Sequence, residues 1–173
     1  MKYLNLFSRK YKKVLAFDGG GVRAIMGLYF LRKLEEESSK SIFESFDLFI
    51  GTSAGATNAL MLGMNGYKIT DLEEFWTIDN LKRIMNQSLI DKTSIFQTRP
   101  KYSNEGKIEI LKKFFGNKKM GQSLKPVVVT AYDLEARKPI LLSSYGDPEV
   151  TAVQAANASS AAPIYFPTAS MED

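Results

Sequence analysis

The chain has 173 residues, with 23 Lys and Arg against 19 Asp and Glu, a net charge of +4. Cysteine and histidine are both absent, which excludes disulfides, thiolate nucleophiles and His- or Cys-based metal centres. Carboxylates alone remain as strong ligands, suited to hard ions, and neither a metal nor a cofactor is expected.

Hydrophobic residues at 45% and charged residues at 24% are ordinary globular values. A chain of this length buries roughly 70% of its unfolded surface, enough for one proper core. The mild basic excess falls short of a nucleic-acid footprint and suits approach to an anionic membrane surface. No segment reaches the length of a transmembrane helix, and "MKYLNLFSRKYKK" is too short and interrupted for a signal peptide. Its cluster Arg9, Lys10, Lys12 and Lys13 reads as a charged leader before the first strand. The expectation is a cytoplasmic protein, peripheral at membranes.

In chain order, Val14 to Phe17 is an apolar run halted by Asp18 and three glycines, the pattern of a buried strand ending in a loop. Val22, Ile25, Met26, Tyr29, Phe30 and Leu34 then recur at helical spacing, widened by Leu28 and Leu31. This predicts a largely buried helix closing near Ser38. "IFESFDLFIG" returns to strand, and "AGATNALMLGMNG" begins a second helix that Gly66 stops. Thr70 and Glu73 match a capping box for a helix running to about Met85. Residues 86–103 lack periodicity and read as a surface excursion or lid. "KIEILKKFFG" is an amphipathic helix, "PVVVTAYDL" and "KPILLSS" are strands joined by the turn "DLEARK", and a last helix starts from about Glu149. Helices alternating with short buried strands imply a three-layer α/β fold around a mainly parallel sheet, with an antiparallel edge near 126–143.

Ligands in such sheets gather at the carboxyl ends of the strands, where two glycine-rich turns fall. The second, Gly51-Thr52-Ser53-Ala54-Gly55, has the G-x-S-x-G spacing of a nucleophile elbow. Ser53 is the candidate nucleophile, and it needs a base that histidine does not supply here. The first, Asp18-Gly19-Gly20-Gly21-Val22-Arg23-Ala24, fits a degraded dinucleotide fingerprint, but that reading needs an acidic residue ending the second strand. Gly51-Thr52-Ser53 stands there instead. Joined, the two turns make one site: amides of Gly19, Gly20 and Gly21, with the Ala54 N–H and the start of its helix, supply donors for an oxyanion. Arg23 is a candidate contact for a lipid phosphate or a partner in a salt bridge.

These residues resemble the patatin-like phospholipase family. "DGGGVRA" is similar to its D-G-G-G-x-R-G block, "GTSAGA" to its elbow, and "ASSAAPIYFP", Ala158 to Pro167, to its third block. Ala24 replaces the last glycine of the first block. The resemblance implies a patatin-like fold and a Ser–Asp dyad without histidine, its aspartate in a D-G-G or D-G-A motif beyond the third block. No such motif follows residue 163, and the expectation is a single patatin-like domain over 1–173 that stops just before the dyad aspartate. Asp18 reads as ordering the oxyanion loop, Asp133 and Asp147 as surface turn residues, and the Ser159-Ser160 pair as lining the site or capping a turn. The leading reading is a lipid acyl hydrolase acting on phospholipids or other acyl-ester lipids. A non-catalytic lipid-binding or scaffold module is the alternative, and a nucleotide-binding domain comes third.

Overall fold

The computed structural model describes residues 11–86 and 100–171. The four strands are β1 (Val14–Phe17), β2 (Leu48–Thr52), β3 (Val127–Asp133) and β4 (Lys138–Ser143). The helices are α1 (Ala24–Ser38), α2 (Ile42–Ser45), α3 (Ala54–Asn65), α4 (Ile69–Phe75), α5 (Ile78–Ile84), α6 (Glu105–Phe115) and α7 (Ala152–Ser159). The sheet order is β1-β2-β3-β4, parallel except for the β3–β4 hairpin, and Phe17 pairs with Gly51 and Gly51 with Val129. The α/β architecture with a mainly parallel sheet and an antiparallel edge is the one the sequence predicts.

The core lies under α3, which packs on β1, β2 and β3 and against α7. Every residue of α3 from Ala54 to Met64 is buried, as expected of a helix apolar or small on all sides. A Cβ on Gly63 would stand 2.1 Å from Val127 Cγ2, so this helix can lie close on the sheet. Gly66 stops it in the left-handed region, at φ 64°. The sheet face bearing Val14, Ala16, Thr52, Tyr132 and Leu141 is exposed.

Three predicted elements differ. The stretch from Ile42 to Ser45 is a helical turn rather than strand, because Ser41 Oγ accepts the Glu44 N–H at 3.1 Å and caps it. The predicted helix from Thr70 to Met85 is two helices. Its first part starts at Ile69, with Asp71 Oδ2 accepting the Lys68 N–H at 2.8 Å, so the Thr70–Glu73 box does not form. It breaks at Trp76–Thr77, where buried Asn80 donates Nδ2 to the carbonyls of Glu74 and Phe75 and Thr77 caps α5. Finally, α1 is not largely buried: Leu28 and Leu31 are, whereas Met26 and Phe30 are 72% and 70% exposed. At ~100° per residue Met26, Tyr29 and Phe30 fall opposite Leu28 and Leu31, and α1 is held to α4 along one side, with Arg32 Nη1 3.0 Å from Glu73 Oε2. The 86–103 excursion lies outside the described residues except at its ends, and Arg9 and Lys10 lie outside them as well.

One buried charge stands out. Lys107 on α6 is 4% exposed, its Nζ lies 4.0 Å from the Phe166 ring centroid, and among the described residues it has no hydrogen-bond acceptor. Burial lowers its pKa from the ordinary 10.5 to about 8. The unfolded chain therefore binds more protons between pH 8 and 10.5, and stability rises with pH across that window. The desolvation cost is fully in force below about 8 and gone above 10.5. Lys107→Met is expected to raise the unfolding free energy at pH 7 by about 1–3 kcal/mol, an advantage that shrinks by pH 10. Urea titrations at both pH values check this, and a difference independent of pH contradicts it.

Candidate active site

Ser53 sits between the last residue of β2 and the first of α3, with φ 55° and ψ −121°. For a residue with a Cβ this region is sparsely populated, costing about 1–3 kcal/mol unless surrounding contacts enforce it. Here they do. A Cβ on Gly51 would lie 2.2 Å from the Gly55 carbonyl oxygen, and one on Gly55 would lie 2.5 Å from that of Phe17. Hydrogen at both Cα positions lets α3 start directly above β1 and β2. On the carboxyl side, Ala56 and Thr57 donate to the Ser53 carbonyl at 2.9 and 3.3 Å. Thr52 Oγ1 is 2.8 Å from Thr130 Oγ1 on β3.

The first glycine turn meets this elbow through Gly19, whose Cβ position is 3.4 Å from Ser53 Cβ and from the Thr52 carbonyl oxygen. Gly21 holds a left-handed φ of 59°, and a Cβ there would meet nothing within 4 Å. Ala54, buried, is the first residue of α3, so its amide has no intrahelical acceptor and faces the positive end of the helix dipole. Gly19, Ser53 and Ala54 are thus brought together, with Gly20 and Gly21 continuing the same loop. Arg23 is the N-cap position of α1, and its guanidinium makes no hydrogen bond or ion pair among the described residues.

The third sequence block reaches the elbow as well. Ser159, last residue of α7, accepts the Ser53 N–H on its Oγ at 2.7 Å. Ser160 differs: its hydroxyl donates to the Ala156 carbonyl and closes the helix. Sequence reasoning left the pair undivided, and only its place in the third block pointed to the site.

Among the described residues no carboxylate bonds to Ser53 Oγ. Asp133 Oδ1 accepts the amides of Glu135 and Ala136, and Asp147 Oδ2 that of Ser143, so both organise turns as the sequence suggests. Asp18 is exposed. No three acidic side chains converge as a metal site among the described residues. The elbow is open, with Ser53 half-buried and Thr52 and Gly19 exposed. A cavity of about 410 Å³ lies elsewhere, between α6, α7 and residues 168–170, and no predicted site residue lines it.

The family model for patatin-like phospholipase matches residues 15–173. The chain belongs to the patatin-like phospholipase family. It is 31% identical to patatin-like protein 4 of Arabidopsis thaliana across 96% of its own length and 45% of that protein's. It is 42% identical to calcium-independent phospholipase A2-gamma of Rattus norvegicus over 64 residues, 37% of this chain and 8% of that one. In structure it is similar to the type III effector protein ExoU, with a TM-score of 0.54 and 16% identity over 88% of this chain and 40% of that one, which shows a shared fold. This patatin-like chain spans less than half the length of the plant relatives it matches. No helix among the described residues is long and apolar enough to cross a membrane.

The patatin-like elbow depends on Gly51 far more than on Gly21. Gly51→Ala sets a methyl against backbone and is expected to cost roughly 3 kcal/mol or more. Gly21→Ala pays only the left-handed penalty, about 1–2 kcal/mol. Thermal and urea unfolding of the two variants side by side measures the difference; equal losses contradict the close-approach account.

Proposed function

We propose that the protein is a lipid acyl hydrolase of phospholipase A type, acting on phospholipids or related acyl-ester lipids at a membrane surface through a serine acyl-enzyme. The observation that carries this reading is the strained Ser53 elbow beside Gly19, where an added Cβ would lie 3.4 Å from the Ser53 Cβ, in a chain of a phospholipase family. Ser53 Oγ attacks the ester carbonyl and gives up its proton to a base. Amides of the Gly19–Gly21 loop and of Ala54 hold the oxyanion. Collapse of the intermediate expels the alcohol, which takes the proton, and water then cleaves the acyl-enzyme to the free acid. Arg23, exposed beside the loop, steadies a lipid phosphate.

The base in this reading is an aspartate outside the described residues, in an Asp-Gly motif of the kind the family resemblance implies. A carboxylate with an unperturbed pKa of about 3.9 serves only when desolvated against the hydroxyl. The second reading is a catalytically incomplete lipid-binding or scaffold module with the same fold. Vesicle sedimentation beside an esterase assay separates them: binding without turnover supports the module.

In the full-length protein, Ser53→Ala is expected to abolish labelling by a fluorophosphonate probe. Continued labelling at another serine sinks the assignment. Because the oxyanion donors are backbone amides, EDTA is expected to leave hydrolysis of a soluble ester unchanged; loss restored by Ca²⁺ would assign part of the chemistry to a carboxylate-bound ion.

A further inference from the structure

We infer that Ser159 is a positioning residue for the nucleophile: its hydroxyl, at the end of α7, holds the backbone of Ser53 in the strained elbow conformation beside the Gly19 loop. The inference rests on the reading of Ser53 as nucleophile.

The Ser53 amide lies between two hydrogen-bonding systems. The β2 ladder ends at Thr52, and the first intrahelical bonds of α3 accept on the Ser53 carbonyl, from Ala56 and Thr57. Neither the strand nor the helix offers its N–H an acceptor. Ser159 Oγ fills that role at 2.7 Å, across 106 residues of sequence. The peptide groups on either side of the Ser53 Cα are therefore gripped from different directions, the amide by α7 and the carbonyl by α3. Its φ and ψ are the torsions between those two grips, so together they set where Oγ points.

The grip has an anchor of its own in α7. Its start is fixed by reciprocal bonds, Thr151 Oγ1 accepting the Gln154 N–H at 3.1 Å and Gln154 Oε1 accepting the Thr151 N–H at 2.9 Å. Ala152, Ala155 and Ala156 are fully buried, and the helix packs on β3 and α3. Its last turn is closed by the Ser160 hydroxyl on the Ala156 carbonyl at 2.6 Å. Without the Ser159 hydroxyl, the Ser53 amide loses its acceptor and the strained φ one of its restraints, so Oγ is held less firmly. The same bond has a second effect: the Ser53 amide is already engaged, so it is not an oxyanion donor, and that work falls to Ala54 and the glycine loop.

The test uses the full-length protein and a soluble ester. Ser159→Ala is expected to lower kcat and the fluorophosphonate labelling rate by roughly tenfold to a hundredfold, with KM within about twofold. Ser159→Thr, which keeps the hydroxyl, restores the rate; Ser159→Val, of similar shape without it, does not. The Ser53 amide proton, followed by NMR, shifts upfield in the Ala and Val variants and not in the Thr variant. If the Ala variant fails to fold, the Thr and Val pair decides. A folded Ser159→Ala protein with wild-type kcat, or equal loss in the Thr and Val variants, overturns the inference while leaving Ser53 as nucleophile. Full activity in Ser53→Ala overturns the nucleophile reading, and this role with it.

Discussion

The first turn of α3 rests on the backbones of β1 and β2 at a separation only hydrogen at Cα permits, and the site is assembled around that contact. The Cβ position of Gly55 is 2.5 Å from the Phe17 carbonyl oxygen and 2.6 Å from that of Asp18. One close approach therefore does two things: it bends the chain sharply at Ser53, and it seats α3 over the strand end from which the glycine loop departs. Gly63, two turns along, repeats the device against Val127. A helix buried on every side then shields its own N-terminal dipole from water on the protein side, which preserves its field at the Ala54 amide.

The third block divides its labour. Ser159 faces the elbow, while the segment beyond it binds a different part of the molecule. Lys101 and Tyr102 donate their amides to the carbonyls of Ile164 and Tyr165, and Tyr102 stacks near Tyr165 and Phe166. Phe166 in turn covers the Lys107 ammonium on α6. A stretch that reads as one motif thus joins the aromatic cluster beside α6 to the end of α7 and, through Ser159, to Ser53.

Much of this was legible because local signals and tertiary demands agree. The apolar runs at Val14 and Phe46, the G-x-S-x-G spacing and Gly66 each specify their element by steric or periodic rules that need no partner. The strand reading of Ile42–Ser45 failed because apolar content outweighed a signal that was present, Ser41 with Glu44 three residues on. The break in the Thr70–Met85 helix was not readable from periodicity, since it depends on where the Asn80 amide goes: into the carbonyls ending α4. The exposure of Met26 and Phe30 was also hidden. Periodicity shows that a helix has faces, not how many of them the fold covers. The Ser159 contact lies furthest from the sequence, because a hydrogen bond between residues 106 apart leaves no spacing rule behind.

That last contact bears on how the protein is made. Chains emerge from the ribosome N-terminus first at ~5–20 residues per second, and domains acquire structure in that order. Ser53 is synthesised early, but the hydroxyl that grips its amide arrives only after β3, β4 and α7 have been added. Until then the turn has one of its two anchors, and the serine has no fixed aim. In the nascent polypeptide the Ser53 turn therefore lacks its second anchor until α7 has docked.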